Sequence, residues 1–225
     1  MTEIRPKAFL WDFDGTIADS EPIWIRGQVE LSARFDLDWS EYDAWSMVGE
    51  TIEETTERAL ATARGQAPST DEYNRALFDY VKEHLSTPPF PFRPGVESLL
   101  SKIKDTGIPV IIVSSSHREI LQVAVESMPD GFITAIVSGD EVPARKPDPA
   151  PFLKASAIAG VEPEWCCAVE DSPTGSLAAS NAGMTAIVVP DLKEVDAAPQ
   201  RVVIPTFDGV TLDQVCRLWA EARAY

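Results

Sequence analysis

Short apolar runs recur along the chain and alternate with longer stretches of helical periodicity. Five runs are bounded by turn residues: AFLWD at 8–12, PVIIVS at 109–114, TAIVSG at 134–139, CCAVED at 166–171 and TAIVVP at 185–190. Because these runs are apolar on both faces, they are typical of central strands in a parallel sheet. Helices are predicted between them at 96–104, 118–127, 149–159 and 174–182, followed by an edge strand at 202–204 and a last helix at 212–222. The pattern predicts an α/β fold with a doubly wound parallel sheet.

The alternation of strands and helices is interrupted after the first strand. Three segments, 23–35, 50–63 and 70–85, have amphipathic helical periodicity without a strand pattern between them. The proline-rich return segment 87–94 cannot continue a helix, and it predicts a stiff linker that forms a hinge with residues 19–22. We therefore predict two domains: an α/β core of residues 1–20 and 88–225, and an inserted all-helical cap domain of residues 21–87.

Composition narrows the possible partners and compartments. The 225 residues include 19 basic and 36 acidic side chains, giving a net charge of −17. Nucleic acids and anionic membranes are bound chiefly through Lys and Arg, so neither is expected as a partner. The three cysteines lack metal-ligand spacing, and the amino-terminal sequence has no leader pattern. No uncharged run approaches the ~18 residues of a membrane span. We expect a cytoplasmic monomer.

The first candidate chemistry follows the first predicted strand, in the sequence Asp12-Phe-Asp14-Gly15-Thr16. Ligands of open α/β sheets bind at the carboxyl ends of the strands, which is where this sequence lies. At average residue usage, D-x-D-G-T arises by chance on the order of once per 10⁵ positions. An ordinary Asp-rich turn is the alternative interpretation.

Further carboxylates follow the strand CCAV. Glu170 and Asp171 would lie at the same sheet edge as Asp12. Like charges ~4 Å apart repel by about 4 kcal/mol at an effective dielectric of 20, so a cation must join them. Carboxylates without His or Cys describe a hard oxygen site of the kind that binds Mg²⁺. The alternative is that Asp171 caps the next helix together with the Ser-Pro that follows it.

A hydroxyl and an ammonium group follow two other strands. Ser114-Ser115-Ser116 comes after the strand PVIIV and opens a helix whose backbone N–H groups favour an anion, although helix capping explains these serines equally well. Lys146 precedes a Pro-Asp-Pro turn, and a solvated surface lysine is its alternative interpretation. Four strand ends thus combine the groups of aspartyl-phosphate chemistry.

Within that chemistry Asp12 is the better nucleophile candidate. Asp14, two residues on and facing the same turn, can protonate the leaving group and later deprotonate the attacking water.

The order of these motifs resembles the haloacid dehalogenase superfamily, specifically its phosphatases with a helical cap and the β-phosphoglucomutase-like subgroup. The stretches that carry the resemblance are DFDGTIADSEP, VSSSH, GDEVPARKPDPAPF and AVEDSPTG. The resemblance implies that Asp12 is the nucleophile and Asp14 the acid/base. It implies a phosphate site that comprises Gly15, Thr16, Ser114, Ser115 and Lys146.

The resemblance also implies a Mg²⁺ cofactor. Its ligands would be the Asp12 carboxylate, the Asp14 backbone carbonyl and Asp171, with Glu170 as a further ligand or a neighbour of the ligands. Substrate specificity would come from the loop Met47–Thr51, including Gly49 and Thr51, although an ordinary helix connection explains this loop equally well.

Departures from the family pattern narrow the expected activity. Members that cleave carbon–halogen bonds lack the second motif Asp, so Asp14 argues for phosphoryl transfer. Sugar phosphomutases usually carry a His where this chain has Trp24 and an Arg where it has Ile52. We therefore expect Mg²⁺-dependent hydrolysis of a small phosphate monoester, such as a sugar or polyol phosphate. The alternatives are a sugar phosphomutase and a non-catalytic protein that binds phosphorylated metabolites.

Overall fold

A six-stranded parallel sheet forms the centre of the computed structural model, which describes residues 4–223. Its strands are β1 (Ala8–Trp11), β2 (Val110–Val113), β3 (Ala135–Val137), β4 (Cys166–Glu170), β5 (Thr185–Val188) and β6 (Arg201–Val203). The strands lie in the order β3-β2-β1-β4-β5-β6, so the winding direction reverses between β1 and β4. The predicted doubly wound parallel sheet is confirmed.

Helices occupy the intervals between the strands. They are α1 (Glu21–Arg34), α2 (Glu41–Ser46), α3 (Ile52–Leu60), α4 (Thr70–Ser86), α5 (Val96–Thr106), α6 (Arg118–Glu126), α7 (Ala150–Ala159), α8 (Pro173–Asn181) and α9 (Leu212–Arg223). Short 3₁₀ helices at Gly139–Glu141 and Pro163–Trp165 were not predicted.

Both faces of the sheet are buried, which explains the apolar runs in the sequence. On one face Leu10 and Ile111 pack in a core with Phe152 of α7 and Ala178 of α8. On the other face Trp11 contacts Phe207, with ring centroids 5.4 Å apart. Because alternate residues of a strand enter opposite cores, the central strands β1, β2, β4 and β5 are buried along their whole length.

The chain divides into two compact units, one made of the segments up to Asp19 and from Phe90 onward, the other of Ser20–Pro89. The second unit contains helices α1 to α4. In it α1 approaches α4 closely at Gly27, where an added Cβ would lie 2.9 Å from Leu77 and 2.8 Å from the Tyr80 ring.

Local capping sets helix boundaries that periodicity alone misplaced. The predicted linker at 19–22 is wrong for Glu21 and Pro22, which form the first turn of α1, where proline is well tolerated. Helix α2 was missed because it has only six residues, and a capping box between Ser40 and Asp43 begins it. Helix α3 begins at Ile52 rather than at residue 50 because Thr51 is its N-cap.

Candidate active site

The sheet topology brings the loops after β1 and β4 together. These strands are neighbours, with Trp11 opposite Val169, and the Asp12 N–H donates to the Val169 carbonyl at 2.9 Å. Asp12 and Glu170 therefore project from the same carboxyl edge, at the point where the winding direction reverses. Ligand sites of doubly wound sheets form at such a point.

Lys146 bridges the two buried carboxylates. Its Nζ lies 2.6 Å from Asp12 Oδ1 and 2.5 Å from Glu170 Oε1, and the Lys146 side chain is only 6% exposed. The ammonium group also lies 5.3 Å from the centroid of the Phe152 ring. A buried charge pair of this kind costs desolvation, and losing one partner leaves an uncompensated charge. The structure thus places Lys146 beside Asp12, not on a solvated surface.

Glu170 is fully buried, and other groups engage both of its carboxylate oxygens. Oε1 accepts from Lys146, and Oε2 accepts from Ser172 Oγ at 3.2 Å. Helix α8 approaches so closely that a Cβ on Gly175 would overlap this carboxylate. Ser172 is the N-cap of α8 and accepts from the Gly175 N–H at 3.1 Å. Capping therefore belongs to Ser172 and not to Asp171.

Asp171 lies against the loop that follows β1. Its Oδ1 accepts from Thr16 Oγ1 at 3.2 Å. Gly15 has a φ of +74°, and a Cβ there would lie 2.7 Å from Asp171 Oδ2. Glycine is therefore required at this position by its backbone conformation and by the close carboxylate. The Thr16 hydroxyl, predicted to contact phosphate, holds Asp171 in this structure.

Burial and mutual repulsion make the ionised carboxylates costly. Burial, with repulsion from Glu170 and Asp14, raises the pKa of Asp12 to about 7 despite its contact with Lys146. Burial, with repulsion from Asp12 and Glu170, raises the pKa of Asp171 to about 9. Burial alone would lower the pKa of Lys146, but the two carboxylates that it contacts raise it above its ordinary value. The single ammonium group of Lys146 is thus too little positive charge to keep Asp12, Glu170 and Asp171 all ionised at low cost.

The donor set fits a hard divalent cation. One carboxylate oxygen from each of Asp12, Glu170 and Asp171 lies within 4.8 Å of the other two. A cation among them would relieve the repulsion that raises the carboxylate pKa values. Oxygen donors of this kind suit Mg²⁺ and Ca²⁺, and a nitrogen- or sulphur-preferring metal would find no soft ligand in this set.

The serine loop after β2 contacts Asp14. Ser116 Oγ donates to Asp14 Oδ2 at 2.5 Å, and Ser114 Oγ approaches the same oxygen at 3.4 Å. Ser114 is buried, whereas Ser115 is exposed. Ser116 was not among the predicted site residues. Its signal in the sequence is its position two residues after Ser114, in a loop that follows a central strand.

An ion pair near Gly15, between Arg93 and Asp191, was also not predicted. Arg93 Nη1 pairs with Asp191 Oδ1 at 2.7 Å, with exposed side-chain fractions of 22% and 12%. A Cβ on Gly15 would lie 3.2 Å from Asp191 Oδ2, so this carboxylate and that of Asp171 approach the same point. Asp191 follows the apolar run TAIVVP, so the strand-end argument that identified Glu170 also applied to it.

Gly49 and Thr51 lie in the other unit. Gly49 has a φ of +87°, which glycine adopts readily. The Thr51 hydroxyl accepts from the Glu54 N–H at 3.2 Å, and Glu54 Oε2 accepts from the Thr51 N–H at 3.1 Å. These contacts account for a helix connection, and substrate contact by either residue stays a prediction.

The model of the haloacid dehalogenase-like hydrolase family matches residues 9–189. Hexitol phosphatase B of Escherichia coli (strain K12) is 30% identical over 187 residues, which cover 81% of this chain and 83% of the relative. Hexitol phosphatase A of the same strain is 31% identical over 203 residues, covering 86% and 90%. Beta-phosphoglucomutase of Bacillus subtilis (strain 168) is 28% identical over 226 residues, covering 96% and 97%.

Solved structures share the fold. The crystal structure of CbbY from Rhodobacter sphaeroides in complex with phosphate has a TM-score of 0.79 and 25% identity, covering 93% of this chain and 98% of that one. Beta-phosphoglucomutase from Clostridium difficile has a TM-score of 0.78 and 20% identity, covering 98% and 100%. Within residues 4–223, no helix has the length and apolar character needed to cross a membrane.

Proposed function

Because this chain belongs to the haloacid dehalogenase-like hydrolase family, we propose that it is a Mg²⁺-dependent phosphatase that hydrolyses a sugar or polyol phosphate through an aspartyl-phosphate on Asp12. The observation that carries the proposal is the Asp12 carboxylate at the end of a central strand, 2.6 Å from Lys146 Nζ. The second carboxylate needed for proton transfer, Asp14, lies two residues further along the same loop.

In the first half-reaction Asp12 attacks phosphorus, and the ester oxygen leaves with a proton from Asp14. Lys146 offsets the negative charge of the transferring phosphoryl group, which is the main electrostatic demand of this chemistry. In the second half-reaction Asp14 accepts a proton from water as the water attacks the aspartyl-phosphate. Ser114 and the loop of Gly15 and Thr16 line the phosphate site in this proposal.

Mg²⁺ would be held by the carboxylates of Asp12 and Asp171 and by the backbone carbonyl of Asp14. When bound, it supplies positive charge that offsets the crowded carboxylates and the phosphoryl oxygens. Because both oxygens of Glu170 are already engaged, we assign Glu170 to holding Lys146 in place, next to the metal ligands.

The names of two relatives support the proposed substrate class. Two relatives at 30% and 31% identity are hexitol phosphatases, which favours a polyol phosphate. We further propose that the helical unit, predicted as residues 21–87, acts as a cap that excludes water and selects the substrate through Gly49 and Thr51.

A sugar phosphomutase is the second candidate. The Bacillus subtilis relative is a phosphomutase, and it covers 96% of this chain. A mutase would transfer the phosphoryl group from Asp12 to a second sugar phosphate rather than to water.

The test is phosphate release from hexitol 6-phosphates, glycerol 3-phosphate, sugar phosphates and phosphoglycolate, with Mg²⁺ and with chelator. Asp12→Asn serves as the nucleophile-deficient variant. We expect release from a polyol or sugar phosphate that is lost in chelator and in Asp12→Asn. Isomerisation of β-glucose 1-phosphate without phosphate release would replace the phosphatase by the mutase, and Mg²⁺-dependent binding without turnover would indicate a non-catalytic protein.

A further inference from the structure

We propose that Ser116 is a positioning residue for proton transfer, because its hydroxyl fixes the Asp14 carboxyl group that protonates the departing alkoxide. The inference rests on the proposed acid/base role of Asp14. It assigns to Ser116 a function separate from phosphate binding by Ser114.

The contact between Ser116 and Asp14 is short, and hydrogen bonds and close packing fix the loop that carries Ser116. Ser116 Oγ lies 2.5 Å from Asp14 Oδ2. The Ser116 N–H donates to Ser114 Oγ at 3.0 Å, and the Ser116 carbonyl accepts from the Gly139 N–H at 3.1 Å. A Cβ on Gly139 would overlap the Ser115 carbonyl, so the segment after β3 packs directly on this loop. The backbone therefore limits where the Ser116 hydroxyl can point.

The chemistry of the partner suits a group that changes its protonation state. A carboxyl group keeps acceptor capacity in both protonation states, so the Ser116 hydroxyl can donate to Asp14 Oδ2 throughout while the proton that is transferred lies on the other carboxyl oxygen. Asp12, in contrast, pairs with the ammonium group of Lys146, which has no acceptor lone pair. A cationic partner of that kind favours the ionised form expected of a nucleophile.

The phosphoryl transfer that Ser116 supports needs no reactant besides the ester, Asp12 and Asp14. A bond forms between an Asp12 carboxylate oxygen and phosphorus while the bond between phosphorus and the ester oxygen breaks. The electron pair of that bond remains on the ester oxygen, which takes the proton from Asp14. Ser116 forms no covalent bond, and its hydroxyl keeps the Asp14 carboxyl group in one orientation throughout.

Leaving-group dependence tests this role. An alkoxide from glycerol 3-phosphate or a hexitol 6-phosphate needs the proton from Asp14, whereas nitrophenolate from p-nitrophenyl phosphate departs without one. For Ser116→Ala we expect kcat/KM to fall about 10- to 100-fold on the alkyl phosphates, which is at most the lower end of the roughly 10²- to 10⁴-fold that general acid catalysis contributes, because Asp14 itself is still present. On p-nitrophenyl phosphate we expect a change of less than about threefold, since proton transfer to that leaving group adds little.

Matched variants separate positioning from folding. Ser116→Thr keeps the hydroxyl and should recover most of the alkyl phosphate rate. Ser98→Ala, an exposed position on α5, should leave both rates unchanged. An equal loss on both substrates, or no loss on either, would overturn the role of Ser116. Turnover that persists in Asp12→Asn would instead refute the proposed function itself, so the two failures are distinguishable.

Discussion

Charged side chains are buried at the carboxyl edge of the sheet and largely exposed at its amino edge. At the carboxyl edge, Lys146 and Glu170 are almost completely buried, with side chains 6% and 0% exposed. At the amino edge, Arg5 pairs with Asp213 at 2.8 Å, with side chains 36% and 62% exposed. Nearby, the Lys7 ammonium lies 4.4 Å from the centroid of the Trp165 ring.

The exposed and the buried charges differ in what they contribute to stability. Exposed pairs contribute roughly 0–1 kcal/mol, so the amino edge could lose them at little cost. Buried charges cost several kcal/mol of desolvation, and an apolar replacement of the whole set is often neutral or stabilising. The proposed phosphoryl transfer would explain the buried set at the carboxyl edge, because electrostatic stabilisation of developing charge is strongest in a water-poor site.

Lys146→Met should have the largest effect on stability and activity. It leaves the carboxylates of Asp12 and Glu170 buried without their cation, which we expect to cost about 3–5 kcal/mol in the free energy of unfolding. Phosphate release should fall to the background rate. Urea denaturation and the phosphate assay measure the two effects, and a stable, active variant would show that the buried pair is dispensable.

Arg93→Met should have an intermediate effect, because the Arg93–Asp191 pair is partly buried. Burial and the nearby Asp19 raise the pKa of Asp191, and Arg93 opposes that rise. Loss of this charged hydrogen bond should cost about 1.5–3 kcal/mol. Because the Asp191 carboxylate lies close to Gly15, as that of Asp171 does, loss of the Arg93 charge should strengthen the attraction for a cation, so the Mg²⁺ concentration for half-maximal activity should decrease. An unchanged Mg²⁺ requirement would show that the Arg93–Asp191 pair affects stability but not the metal site.

Gly175→Ala should reverse the usual effect of this substitution in a helix. Ala normally stabilises a helix interior by about 1 kcal/mol relative to Gly. Here the added Cβ overlaps Glu170, so we expect destabilisation by about 1–3 kcal/mol together with a lower kcat. Gly65→Ala, where the Cβ meets open space, should change stability by less than about 0.5 kcal/mol. A stabilised Gly175→Ala would refute the close packing.

Asp171→Asn should flatten the pH dependence of stability in chelator. The pKa of Asp171 is about 9 in the folded state and about 4 in an unfolded chain, so unfolding releases a proton between these values. The Tm of the wild-type protein should therefore fall as the pH rises from about 4 towards 9. The variant lacks this titration and should have the higher Tm near pH 8, yet gain nothing from Mg²⁺. Equal slopes for both proteins would contradict this.

Arg5→Met should have the smallest effect. Its pair with Asp213 is exposed, so the free energy of unfolding should change by less than about 1 kcal/mol. Activity and the Mg²⁺ requirement should match the wild-type protein. A loss comparable to that of Lys146→Met would remove the contrast between the two edges.

The strand-end argument located much of the site because parallel strands all end at one edge. Asp12 follows β1 and Glu170 ends β4, so a parallel sheet was enough to place both at one edge, whereas the pairing of β1 with β4 was not predicted. Lys146 required one further observation, its position in the loop after the third predicted strand.

The missed contacts depend on backbone geometry that periodicity does not encode. Three consecutive serines follow β2, and only the path of the loop decides that Ser116, and not the exposed Ser115, contacts Asp14. The Arg93–Asp191 pair joins segments that are distant in sequence, which no local pattern reveals. Helix α2 is too short for an amphipathic pattern, so its capping box was the only local signal.

Direct detection of a phosphorylated Asp12 tests the central claim most directly. The protein would be mixed with Mg²⁺ and a hexitol 6-phosphate, quenched in acid within a single turnover, digested and examined by mass spectrometry. We predict one added phosphoryl group on the peptide that contains Asp12, absent in Asp12→Asn and formed at reduced yield in Lys146→Met. Phosphate release by the wild-type protein without this phosphopeptide, together with an active Asp12→Asn variant, would contradict the account.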